Sequence, residues 1–124
     1  MSHPEFSCSV AVQYLADESQ PPAGPFAFAY TVTIKNSGDV AAQLVARHWV
    51  ITDANGQTEE VRGLAVVGHQ PLLKPGESFE YTSWVRLETA HGAMRGTYHC
   101  MTEDARPFEA GVPEFQLVSP GALH

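Results

Sequence analysis

Apolar and polar residues alternate along most of this chain, and the alternation is broken at intervals by turn-forming clusters. Phe6, Cys8, Val10, Val12 and Tyr14 share one parity while Ser7, Ser9 and Gln13 take the other. That two-residue period is what a strand with one face on a core requires. Ala16 to Pro25, with Pro21-Pro22 and Gly24-Pro25, interrupts it. Phe26, Phe28, Tyr30, Val32 and Ile34 then repeat the device as far as the turn Asn36-Ser37-Gly38-Asp39. Gln43 to Thr52 is apolar on both parities, which suggests a central strand covered on both sides. Asp53-Ala54-Asn55-Gly56 closes it as a tight turn, because Asn-Gly supplies the positive φ such turns demand. Thr58 to Leu64 returns as a short strand.

Ala65 to Lys74 is apolar but aperiodic and reads as a structured loop. Glu77 to Leu87 alternates again, with Phe79, Tyr81, Val85 and Leu87 inward, and Met94 to Met101 and Phe108 to Val118 complete the set. Pro113 cannot donate to a ladder and marks a bulge or an edge. No window of helical length carries apolar residues at three-four spacing. Seven to eight short antiparallel strands separated by turns predict an all-β sandwich of the immunoglobulin or fibronectin type III kind. One domain spans residues 1–124, with its core between about residues 6 and 118. Trp49 and Tyr98 stand where such sandwiches place a core tryptophan and a corner tyrosine; simple filling of core volume explains both equally well.

Composition narrows the function classes. With 14 acidic against 7 basic side chains the net charge is -7, and Lys35, Arg47, Arg62, Lys74, Arg86, Arg95 and Arg106 are scattered singly. Such a surface repels phosphate backbones and lacks a basic patch, so neither nucleic acid nor an anionic membrane is the expected partner. No apolar run approaches the length of a membrane span. The opening Met1-Ser2-His3-Pro4-Glu5 has no signal-peptide character, which makes the cytoplasm the default location. In reducing cytosol, Cys8 and Cys100 are expected as two small buried thiols rather than a bridge.

No converging catalytic set is visible. Cys100 adjoins His99, but neighbours on a strand project to opposite faces. Glu59 and Glu60 fail as an acid/base pair for the same reason. Nothing calls for a cofactor. Among the histidines His3, His48, His69, His91, His99 and His124, none pairs at the spacings of helical or finger metal sites, and no metal ligand is assigned. His69 and His91 lie in loops where they could meet His99, an arrangement that would give a surface metal site. Gly63-Leu64-Ala65-Val66-Val67-Gly68 matches the phosphate-cradling Gly-x-Gly-x-x-Gly pattern except at Ala65, and Pro71 follows instead of a helix. A bulge and a tightly packed turn are the expected structure there.

Several motifs in the same order carry a family resemblance: Arg47-His48-Trp49 with Ile51 to Gly56, Val66-Val67-Gly68 with Gln70-Pro71, Pro75-Gly76-Glu77, Tyr81-Thr82-Ser83, Gly92-x-Met94-x-Gly96-x-Tyr98, and Pro113-x-Phe115-x-Leu117. From Val10 to Val118 the chain resembles the bacterial ApaG family. The resemblance implies a fibronectin type III-like sandwich. It also implies a genetic association with cobalt resistance and magnesium efflux, and a relation to domains of eukaryotic F-box proteins and a DNA-polymerase-interacting protein that act in protein interaction. The family's glycine-rich segment has been proposed to hold pyrophosphate. Three residues depart from its pattern: Ala65, whose methyl intrudes where a phosphate would approach backbone, His69, and Trp84. The indole of Trp84 either rests against the glycine loop, the favoured expectation, or stands exposed as a contact residue.

The function expected is thus a non-catalytic cytoplasmic binding module for a protein partner. Its contact surface is the loop from Gly63 to Pro71, with Arg62, Gly63, Leu64, Ala65, Val66, Val67, Gly68 and His69 as the site. Exposed strand edges come next, including a weak homodimer through one of them. The alternative is a small-ligand sensor for pyrophosphate, a nucleotide or a divalent metal, held by the same loop with Arg62.

Overall fold

A computed structural model describes residues 2–121; His124 lies outside them. Its eight strands are β1 (Phe6–Tyr14), β2 (Phe26–Asn36), β3 (Ala42–Asp53), β4 (Thr58–Leu64), β5 (Leu72–Leu73), β6 (Ser78–Leu87), β7 (His91–Thr102) and β8 (Pro107–Val118). The only helical turn among the described residues is the 3-10 segment Ala16–Glu18. The strands form two antiparallel sheets. One runs β1-β2-β6; the other runs β4-β3-β7-β8, with β5 pairing onto the start of β3. This is the immunoglobulin or fibronectin type III-like sandwich expected from the alternation.

The core is the sum of the inward parities. Phe28, Val32 and Ile34 from β2, Leu44 and Trp49 from β3, Met94 and Tyr98 from β7, and Val112 and Leu117 from β8 are buried between the sheets. Trp49 sits at the centre, edge-on to Tyr30, Tyr98 and Phe115 with ring centroids 5.5–6.0 Å apart. Edge-to-face contacts of this kind add to what area burial supplies. Tyr98 departs from a corner tyrosine. Its hydroxyl meets that of Tyr81 at 2.5 Å, linking β7 of one sheet to β6 of the other.

Two elements differ from the sequence expectation. β3 owes its apolar residues on both parities to a β-bulge at Val45, where pairing to β7 slips between Leu44 and Ala46. The slip reverses the parity, so Leu44 points inward before it and Trp49 after it. The aperiodic segment after Ala65 also contains the two-residue strand β5, which registers on Ala42 and Gln43. Pro113 satisfies both of its readings: β8 is an edge strand, and its register on β7 slips between Met94↔Phe115 and Gly96↔Val112.

Candidate functional site

The bulge at Val45 is what fixes the glycine loop. With its ladder broken, the Val45 carbonyl accepts hydrogen bonds from the Ala65 amide at 2.8 Å and the Gln70 side chain at 3.0 Å. Gln43 donates in turn to the Gln70 carbonyl at 2.9 Å. The parity change also turns Arg47 toward the inter-sheet side. There its guanidinium donates to the Leu64 and Ala65 carbonyls at 2.7 and 2.8 Å. Gly63 lies opposite Arg47 in the register, and a Cβ built on it would stand 2.9 Å from both terminal guanidinium nitrogens. The first glycine of the pattern therefore makes room for an arginine.

The remainder of the loop folds as a miniature hairpin. Val66 and His69 exchange backbone hydrogen bonds of 2.8 and 2.9 Å around Val67-Gly68. Val67 and Gly68 both have positive φ, 48° and 80°, as the two central residues of a type I′ turn must. Ala65, at the position of the pattern's middle glycine, also has positive φ, 66°. The backbone thus takes the glycine-like conformation in spite of the methyl group. Three amides of the segment, those of Ala65, Val66 and His69, are engaged within the fold, and two of its carbonyls face Arg47. Val66 is fully buried and anchors the turn, while Leu64 and Val67 are 72% and 55% exposed.

Beside this loop, the outer face of the larger sheet carries a shallow depression of about 350 Å³ lined by Ala46, Arg47, His48, Arg62, Gly63, Leu64 and His99. His48 Nε2 is 2.8 Å from the Glu60 carboxylate, and Arg62 approaches the same oxygen at 3.4 Å. The hydrogen bond from His48, with Arg62 adding to it, holds the Glu60 carboxyl below its ordinary pKa. His99 pairs more loosely with Glu109 at 3.8 Å. An apolar floor rimmed by imidazole and guanidinium donors suits a partner that offers both an apolar side chain and carboxylate acceptors. Leu72 and Met101 continue the apolar surface along the sheet, flanking Gln43 on the same face.

The site residues named from sequence, Arg62 to His69, are contiguous in space as well as in the chain, but they do different things. Arg62, Leu64 and Val67 face outward, Val66 is core, and Gly63, Ala65 and Gly68 shape the backbone. His69 lies against the Phe79 ring, with centroids 5.6 Å apart. It does not meet His91, which opens β7, or His99, eight residues further along that strand. Among the described residues no group of three or more metal-ligating side chains converges. Cys100 is buried while His99 faces out, as strand alternation requires. Both cysteines are free. Burial pushes the Cys8 thiol up to about 11 and the Cys100 thiol up to about 12. Trp84 corrects its favoured reading: it stands 64% exposed on β6 of the other sheet, with Leu15, Glu18, Ala27 and Arg86 around it, away from the glycine loop. Arg47, His48, His99 and the bulged Val45 were missed as site residues. Only the Arg47-His48-Trp49 motif hinted at the first two.

The ApaG domain model matches residues 16–102. A curated Protein ApaG of Ralstonia nicotianae is 56% identical over 124 residues, covering all of both chains. The chain belongs to the ApaG family. Protein ApaG of Dechloromonas aromatica is 59% identical over 112 residues, 90% of this chain and 88% of that one. The crystal structure of the ApaA protein of Bordetella pertussis, 50% identical, superposes with a TM-score of 0.91 over 95% of this chain and 96% of its own. The ApaG-family sandwich is therefore shared by sequence and by shape. No helix among the described residues is long and apolar enough to cross a membrane.

Proposed function

We propose that this ApaG-family chain is a non-catalytic, cytoplasmic protein-interaction module that binds its partner through the outer face of the larger sheet at the glycine-loop end. One observation carries the reading. Leu64 and Val67 are held out in solvent by a loop fastened from beneath through Arg47, Val45 and Val66. Large apolar side chains on a rigid mount lose little conformational freedom on binding, which favours their use as anchors. The neighbouring depression, with His48, Arg62 and His99, adds donors for an acidic partner segment.

The test is a paired capture. Wild type and Leu64→Asp, each with a photo-crosslinking group at Val67 or, as control, at Ser9 on the opposite sheet, are exposed to native lysate. A protein captured only from Val67 and lost in Leu64→Asp is the expected result. Equal capture from both positions sinks the assignment.

A second reading, a sensor for pyrophosphate, a nucleotide or a divalent metal, is favoured by the same donor set around a depression of about 350 Å³. Such a ligand would stabilise the fold by RT ln(1 + [L]/Kd). A thermal-shift panel of nucleotides, pyrophosphate, cobalt and magnesium separates the two. A shift abolished by Arg62→Ala supports the sensor, and no shift at millimolar ligand removes it.

A further inference from the structure

The two sides of the sandwich end differently. On one side β1 packs along β8, with the Phe6 and Phe108 rings 5.4 Å apart, so that both edges are covered. On the other, β6 ends its sheet with β2 as its only ladder partner among the described residues, and no comparable approach among them links it to β4.

Which backbone groups that edge offers follows from the register. The Asn36 amide donates to the Glu77 carbonyl at 2.9 Å, one step beyond the Lys35↔Ser78 pair. Odd-numbered residues of β6 therefore direct their N–H and C=O groups at β2. The even-numbered ones, Ser78, Glu80, Thr82, Trp84 and Arg86, direct theirs into the open edge. The side chains of the same five residues all stand exposed.

Open edges are ordinarily guarded by charge against stray strands. Glu80 and Arg86 serve that role here, yet about Ser83 the strand is complementary to itself. Antiparallel pairing centred on Ser83 sets Glu80 of one copy opposite Arg86 of the other, twice. Thr82 falls beside Trp84, Tyr81 beside Val85 and Phe79 beside Leu87. All the even-numbered residues so matched have their hydrogen-bonding groups facing outward. Neighbouring registers do not match: a centre at Thr82 sets Glu80 against Trp84, and a centre at Trp84 sets Glu80 against Glu88. Thr33 already holds the Glu80 carboxylate at 3.2 Å on the outer face.

We propose that two copies of this chain associate through β6, antiparallel about Ser83, joining their smaller sheets into one and covering the Trp84 indoles. This surface is separate from the one proposed for the protein partner, which lies on the other sheet.

Sedimentation equilibrium from micromolar to millimolar protein tests it. Wild type is expected to dimerise with rising concentration. Glu80→Arg and Arg86→Glu, each of which sets like charges together twice, should each raise the dimer Kd roughly tenfold or more. Mixing the two variants in equal amounts makes every contact opposite again and should restore a dimer, as should the double variant E80R/R86E alone. Leu64→Asp should leave association unchanged, which keeps this result apart from that of the partner surface. A wild type that stays monomeric throughout overturns the proposal. So does a dimer indifferent to the single swaps, which would place the contact at β4 or elsewhere, and so does failure of the mixture to recover.

Discussion

Arg47 lies across the face of Gly63, its two terminal nitrogens where a Cβ on Gly63 would be 2.9 Å away. The same side chain bonds the carbonyls of Leu64 and Ala65. Gly63→Ala should therefore cost about 1 kcal/mol, because the guanidinium end can swing aside but loses its hydrogen bonds in doing so. In an Arg47→Ala background the same substitution should cost only a few tenths. Gly96→Ala provides the contrast. Its Cβ would meet the Trp49 ring at 2.5 Å, and a buried indole wedged between Tyr30, Tyr98 and Phe115 cannot swing. A loss of roughly 2–3 kcal/mol is expected there. Urea denaturation of wild type, Gly63→Ala, Arg47→Ala, their double variant and Gly96→Ala checks these values, and an unchanged cost of Gly63→Ala without Arg47 would refute the pairing.

Ala65 and Val67 hold left-handed backbone, at φ 66° and 48°, where an L-residue is disfavoured by about 1 kcal/mol or more. Glycine at either place should raise stability by up to about 1 kcal/mol and Tm by a few degrees. The effects on binding then diverge. Ala65 is half-buried, so Ala65→Gly should leave partner capture intact. Val67 is exposed, and Val67→Gly should stabilise the fold while weakening capture, since the retained strain keeps an apolar side chain in solvent. Thermal melts together with the crosslinking assay decide it.

How far the sequence could be read depended on whether a feature was local. Thr58 and Leu64 bound β4, the short strand expected after the turn, and the Asp53-to-Gly56 turn closes as its composition requires, with Asp53 Oδ1 accepting from the Asn55 and Gln57 amides. Val45 was beyond reach. A bulge leaves apolar residues on both parities, the same pattern a strand buried on two faces would give, so period alone could not separate them. The reason for Gly63 is likewise set by a side chain sixteen positions earlier in the chain. Trp84 is expected against the loop because an exposed indole is the less common state of that residue, whereas its exposure follows from the outward parity it holds on β6.

Tyr81 and Tyr98 join the two sheets through their hydroxyls, with both rings buried. Tyr98→Phe leaves the Tyr81 hydroxyl without that partner in a dry site and should cost about 1–3 kcal/mol. Tyr81→Phe should cost a similar amount. The double substitution should cost less than the sum of the two, because it removes both polar groups at once. Strictly additive losses would mean that the contact contributes nothing beyond packing.

Stability should fall on the alkaline side. Burial raises the Cys8 thiol from 9.0 to about 11 and the Cys100 thiol from 9.0 to about 12. It also raises the phenols of Tyr30, Tyr81 and Tyr98 above their ordinary 10.0. The unfolded chain therefore releases these protons at lower pH than the folded protein does, and stability falls wherever the unfolded state binds fewer protons. The contribution is complete below pH 9 and is lost as pH rises, first through the thiols and then through the phenols. Each fully titrating group steepens the fall by about 1.4 kcal/mol per pH unit. Urea midpoints taken across this range should decline from pH 9 upward. In Cys8→Ala/Cys100→Ala the early decline should flatten, while the later decline, which belongs to the tyrosines, remains. A decline that begins below pH 8, or one the double variant does not alter, would assign the alkaline limit to other groups.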